Sequence, residues 1–200
     1  MTKTRWTTTN RTTNVTQEHI MKKALISSLF AVALMSGTAF AGQQYVDESG
    51  YAASGYDVVA YHSLKQVPVG QSQPRAVKGS TSHVVEYNGA KWAFSTAKNA
   101  AAFKANPAKY APLYDGHCAY GIAQGGKVPG NPNLWRILDG KLYLNITPTV
   151  VGFWEKDVPG LIKKANKNWK GAEKKAASKR KWTSINDNKS TFDGAAPISN

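Results

Sequence analysis

His83-Val-Val-Glu-Tyr-Asn-Gly-Ala-Lys-Trp-Ala-Phe94 decides the fold. Two runs rich in β-branched and aromatic residues flank Asn88-Gly89. A type I′ turn needs positive φ at both central residues, and Asn-Gly tolerates it, so the stretch reads as a β-hairpin. Leu134-Trp-Arg-Ile-Leu-Asp-Gly-Lys-Leu-Tyr-Leu-Asn145 repeats the pattern around Asp139-Gly140. Each hairpin is followed by a helical pattern. Ser95 is placed to cap a helix through Ala97, Ala100, Ala101, Phe103 and Lys104, ended by Asn106-Pro107, with one more turn over 108–110. Thr147-Pro148 reads as an N-cap with proline in the first turn. That helix runs through Val151 and Trp154 to about Asp157, where Pro159 interrupts it. Leu161, Ile162, Ala165 and Trp169 then line one face of a last helix.

The expected class is α+β: two β-hairpin–helix units forming a small antiparallel sheet with helices packed on it. A lone hairpin is marginal, so the two are expected to share a sheet. The core would hold Trp92, Phe94, Phe103, Trp135, Tyr143, Trp154 and Trp169. Ahead of the first hairpin, Asp57 can cap a short helical turn through Val58, Val59 and Tyr61, and a strand there is equally compatible. The echo of the two units suggests a repeat, though two units do not establish one.

The flanks read differently. Residues 1–20 are rich in Thr, Asn and Arg without apolar period and are expected to be an upstream extension. Residues 21–41 have the form of a secretory signal peptide: Lys22 and Lys23, an apolar run from Ala24 to Met35, and a small-x-small site at Ala39-Phe40-Ala41. The run is short for a membrane span, and no longer one follows, so no membrane span is expected in the mature protein. The expected location is periplasmic or secreted, after cleavage near Ala41-Gly42. Residues 42–54 read as a leader loop, 55–170 as the domain and 171–200 as a basic, disordered tail. The net charge is +14. From Leu161 onward ten Lys/Arg face three Asp/Glu. A nucleic-acid partner is not expected for an exported chain, and the tail fits a solvated extension or an arm for an anionic surface.

Chemistry is expected at Leu113-Tyr-Asp-Gly-His-Cys-Ala-Tyr-Gly-Ile-Ala-Gln-Gly-Gly126. It holds Cys118, the only cysteine, beside His117. A lone thiol in an oxidising compartment is buried, paired between molecules, bound to metal or reactive.

At Trp92-x-Phe94-Ser95, Phe103 and Asn106-Pro107-x-Lys109-Tyr110 the chain resembles the YHS domain family. Gly55-Tyr-Asp-Val-Val-Ala-Tyr61, Glu86-Tyr-Asn-Gly89, Gly116-x-Cys-Ala-Tyr-Gly121, Asp139-Gly-Lys-Leu-Tyr-Leu-Asn145 and Trp154-Glu-Lys-Asp157 extend the resemblance to the family's exported bacterial branch, over roughly 55–169. The resemblance implies a metal-related role. In metal-binding relatives one cysteine follows the Phe of the motif and another comes four residues later. Ser95 and Asn99 stand there, so that thiolate pair does not carry over. In the exported branch Cys118 is the notable position, and some relatives carry selenocysteine there.

Four functions follow. The first is binding of a soft or borderline ion, copper or zinc, through Cys118 with His117, His62 and His83 as the other candidate ligands. A closed zinc site needs about four ligands, so such a site would be open or shared. The second is thiol redox chemistry with a small-molecule oxidant, in which Cys118 would be the catalytic residue and an external thiol would recycle it. The third is a hydrolase pairing Cys118 with a histidine and Asp115 or Asp57. The fourth is a binding or assembly module in which Cys118 is structural. No organic cofactor is evident.

Overall fold

A computed structural model of the protein describes residues 1–2, 42–68 and 70–187. The expected upstream extension and signal peptide, apart from Met1 and Thr2, lie outside the described residues, as does the chain beyond Asp187. Strands β1 (Ser80–Tyr87) and β2 (Ala90–Phe94) form the first hairpin, and β3 (Asn131–Leu138) and β4 (Lys141–Asn145) the second. The helices are α1 (Ala97–Ala105), α2 (Pro107–Tyr110), α3 (Ala119–Ala123), α4 (Pro148–Lys156) and α5 (Val158–Ala172). Both hairpin turns have the expected positive φ: 50° and 68° at Asn88-Gly89, 49° and 70° at Asp139-Gly140.

The helix starts follow from capping chemistry. Thr147 accepts the Val150 N–H at 3.3 Å with Pro148 in the first turn. Thr96, not the expected Ser95, caps α1 by accepting the Asn99 N–H at 3.1 Å. Ser95 is drawn away to Asp57. Pro159 sits in the first turn of α5, where a missing N–H costs nothing, and Asp157 caps that helix through the Gly160 N–H at 3.0 Å.

The two units are an internal repeat. β1 begins at Ser80 and β3 at Asn131, an offset of 51 that also carries β2 onto β4 and α1 onto α4 at both ends. The strand register obeys it: Ser80 faces Phe94 and Asn131 faces Asn145, Val84 faces Ala93 and Trp135 faces Leu144, with an irregularity between the same two pairs. The turns feeding the hairpins match as well. Ala53-Ser-Gly55 and Tyr114-Asp-Gly116 each run through three consecutive positive φ values. The Asp57 N–H donates to Val77 O at 2.8 Å and the Cys118 N–H to Val128 O at 3.0 Å. Gly79 donates to Gly55 O, and Gly130 to Gly116 O. A Cβ at Gly79 would fall 2.4 Å from Ala93 O and 2.7 Å from Ala93 Cβ, and one at Gly130 2.7 Å from both Gly116 O and Leu144 Cβ, so equivalent strand residues crowd the glycine in both units.

The hairpins do not join into the single sheet expected; each is its own two-stranded sheet. The outer edges of β2 and β4 are occupied by other segments. Tyr51 bridges Lys91 in parallel, with the Ala52 N–H on Lys91 O at 2.8 Å, and Cys118 bridges Leu144 in parallel. The hairpins meet through side chains instead. Trp135, Leu142 and Leu144 join Val58, Tyr61, Trp92, Phe94 and Phe103 in one core. Tyr143, on the alternate face of β4, joins Tyr114, Ile122, Trp154 and Ala165 in a second. β4 is therefore buried on both faces between the units.

The first unit has a longer connection to its hairpin. Asp57 and Cys118 differ by 61 while the strands differ by 51, so ten further residues fall between turn and strand. The second unit pins that excursion. Arg136 and Glu155 form a buried ion pair, and Arg136 also donates to Val67 O at 3.1 Å and Pro68 O at 3.3 Å. Glu155 Oε2 accepts the Gly70 N–H at 2.9 Å.

The domain is wider than 55–170. Gln44, Tyr45 and Ala52 are buried, so the expected leader loop is part of the fold. Residues past Ala172 pack back onto it, as far as a 3-10 turn at Trp182–Ser184. The Ala177 N–H donates to Gln43 Oε1 at 2.9 Å, Tyr45 Oη donates to Arg180 O at 3.0 Å, and Trp182 Nε1 donates to Ser54 Oγ at 2.9 Å. The part of the tail up to Asp187 is ordered, because its backbone groups and Trp182 find partners on the first residues of the domain.

Candidate functional site around Cys118

The loop before Cys118 is turned by Tyr114, Asp115 and Gly116 at φ 59°, 52° and 76°. This delivers His117 and Cys118 in extended conformation against Pro129 and Leu144. Cys118 then caps α3, its Sγ accepting the Gly121 N–H at 3.3 Å. The thiol proton points to Asn145 Oδ1 at 3.6 Å, and the same oxygen accepts the Tyr120 N–H at 3.1 Å. Cys118 has 0% exposure. Burial pushes the thiol up to about 12, against smaller downward pulls from hydrogen bonds around Gly121, Ile146 and Tyr120. A thiol in this state donates and accepts hydrogen bonds; it does not supply thiolate.

His117 adjoins Cys118 in sequence but serves other partners. Its Nδ1–H donates to Tyr114 O at 2.9 Å, and Nε2 accepts the Ser178 N–H at 3.1 Å. The ring lies edge-on to Tyr45, with centroids 5.7 Å apart. Burial pulls His117 down to about 4, with the Lys127 charge adding to the fall. The neutral tautomer is thereby fixed and both nitrogens are engaged.

His62 lies in the 3-10 turn Ala60–Ser63 with its ring edge-on to Tyr110. Its Nε2 is buried without a hydrogen-bond partner, and burial, then Lys109, holds its pKa below the usual value. His83 is half-buried on β1. His117 and Cys118 thus serve separate partners, although they adjoin in sequence. Among the described residues no group of three or more His, Cys, Asp or Glu is placed to hold a metal ion. The donor set does not fit a copper or zinc centre.

Sequence reasoning saw Asp57 as a turn cap and missed its larger role. Oδ1 accepts the Val59 and Ala60 N–H groups at 2.9 and 3.1 Å. Oδ2 accepts the Ser95 N–H at 2.8 Å, Ser95 Oγ–H at 2.6 Å and Asn99 Nδ2–H at 2.7 Å. Ser95 and Asn99, which stand where the resembling metal-binding relatives carry cysteines, are both consumed by this carboxylate. The one local signal was the Gly55-x-Asp57 and Gly116-x-Cys118 parallel, which marks the turn and not its distant partners.

Residues 73–114 match the YHS domain, which spans β1, β2, α1 and α2. YHS domains are generally associated with metal handling. No curated protein and no solved structure matches the chain. No described helix is long and apolar enough to cross a membrane.

Proposed function

We infer that the protein is an exported, non-enzymatic binding or assembly module of the YHS type, in which Cys118 is structural. One observation carries this: Cys118 is enclosed and hydrogen-bonded both ways in the position where the first unit uses Asp57. A residue that exchanges with a capping carboxylate is serving the turn. Export to the periplasm or exterior is supported by the form of residues 21–41. The surface offered to a partner is basic. Lys163, Lys164, Lys167 and Lys170 are exposed on α5 and Lys174, Lys175, Lys179 and Lys181 continue the run, which fits an acidic partner.

Soft-metal handling, with copper or zinc, is the competing reading and is favoured by the association of YHS domains with metals. It requires Cys118 to ionise and leave Asn145. Thiol redox chemistry makes the same demand. The test is metal content and thiol reactivity of the mature protein and its Cys118→Ser variant. The structural reading expects no metal lost on substitution and a thiol silent until the chain is unfolded. Near-stoichiometric copper or zinc that disappears in Cys118→Ser overturns it in favour of metal binding. A thiol that reacts in the native state well below its usual pKa of about 8.5 overturns it in favour of redox chemistry.

A further inference from the structure

Asp115 presents a defect. Its Oδ2 is buried without a hydrogen-bond partner. An unpaired buried carboxylate oxygen is costly, and burial raises the pKa of the group, with Lys127 opposing and Glu173 assisting. The neighbour in that space is Gly42, itself buried. A Cβ on Gly42 would stand 2.4 Å from Asp115 Oδ2, 2.6 Å from Glu173 O and 3.0 Å from Glu173 Cγ. The Gly42 nitrogen, on the same Cα, lies about 2.5 Å from that point by tetrahedral geometry, which puts these oxygens within reach of a group at Gly42. The surroundings hold it in place. Gly42 O accepts Asn88 Nδ2–H at 3.3 Å, and Gln44 Nε2 and the Tyr45 N–H both donate to Asp115 O. Lys127 Nζ donates to Lys175 O at 2.7 Å and reaches Glu173 O at 3.4 Å, but makes no hydrogen bond to Asp115 Oδ2, so any new donor would share Glu173 O with it.

We propose that cleavage of the Ala41–Gly42 bond makes Gly42 an internal ligand, its new α-ammonium docking between Asp115 Oδ2 and Glu173 O and locking the turn that carries His117 and Cys118. Hydrolysis by a signal-processing peptidase consumes one water. The water's oxygen goes to the Ala41 carboxylate and its two hydrogens to the Gly42 nitrogen, converting an amide with one N–H into an ammonium with three. The orphan carboxylate gains a charged donor, and the mature chain becomes more stable than its precursor. The proposal rests on the export reading and not on the role assigned to Cys118.

The test uses urea unfolding of two chains, one beginning at Gly42 and one retaining Ala39-Phe40-Ala41, each with Asp115 and with Asp115→Asn. With the free amine, Asp115→Asn should shift the folding equilibrium roughly tenfold toward unfolding, the equivalent of one unit in the pKa of the amine. With 39–41 retained, the same substitution should be neutral or stabilising. The ammonium's pKa rises on docking, so the advantage is present below about pH 8 and is lost as pH rises through the higher folded value. An equal response to Asp115→Asn in both chains overturns the docking. A mature N-terminus other than Gly42, read by mass spectrometry of the exported protein, overturns the processing step and the cleavage reading with it, leaving the role of Cys118 untouched.

Discussion

Asp57 and Cys118 close the same turn in the two halves of the molecule. Each follows three residues of positive φ, and each donates its N–H to the valine two residues before the equivalent glycines Gly79 and Gly130. A carboxylate and a thiol thus do one job, with different strength. Asp57 takes five hydrogen bonds, whereas the Cys118 sulfur accepts one from Gly121 and gives one to Asn145.

Removing these caps should therefore cost unequal amounts. Asp57→Ala strands several donors that one carboxyl group had satisfied, and a loss of about 3–5 kcal/mol is expected. Cys118→Ala removes one weaker acceptor and should cost about 1–3 kcal/mol. Urea unfolding of both variants checks the order; a larger loss at Cys118 would contradict the equivalence.

Alkali should weaken the fold through Cys118. Burial holds its folded pKa at about 12, above the ordinary thiol value of 9.0. Between these values the unfolded chain releases its thiol proton and the folded chain keeps it, so stability falls as pH rises above about 9. The urea midpoint of the wild type should drop more between pH 8 and pH 10 than that of Cys118→Ser.

Acid should act through His117. Burial holds its folded pKa at about 4, below the ordinary imidazole value of 6.5. The depressed value means stability is fully present above pH 6.5 and is lost as pH falls toward 4, by up to about 3 kcal/mol. His117→Gln should flatten that part of the pH profile. Because Nε2 accepts the Ser178 N–H, protonation also expels the segment around Ser178, and limited proteolysis near pH 4.5 should cut there first.

The Arg136–Glu155 pair is buried, with side chains 6% and 5% exposed. Breaking it from one side leaves a buried charge without its partner, so Glu155→Gln or Arg136→Met should cost about 3–5 kcal/mol. The pair also holds Val67, Pro68 and Gly70. Protease nicking between residues 66 and 71 should accelerate in either variant, and unchanged nicking would show that the loop holds itself.

What was legible in the sequence is what chemistry within a few residues decides. Asn88-Gly89 and Asp139-Gly140 reveal their turns because positive φ is a local requirement, and Thr147-Pro148 reveals a helix start for the same kind of reason. The aromatic core of both units was legible from periodicity. The separation of the hairpins was not, since it depends on Tyr51 and Cys118 arriving at strand edges from distant turns. Asp57 could not be joined to Ser95 and Asn99, which lie 38 and 42 residues away. The segment after Ala172 reads as disordered because it is lysine-rich, yet two of its anchors are the backbone N–H of Ala177 and the backbone carbonyl of Arg180, which leave no trace in composition. Cys118 and His117 drew notice as a pair, and only the fold shows that each faces a different partner.

The union of the domain's first and last described segments sets a timetable. Gln43 waits for Ala177, 134 residues later, and Tyr45 for Arg180, 135 residues later. At ordinary ribosomal speed that delay is on the order of ten seconds. Throughout it Gln43 and Tyr45 lack the partners that hold them in the finished fold. A chain made in this order cannot close its first described segment until its last one has been synthesised, so the fold is completed only at the end.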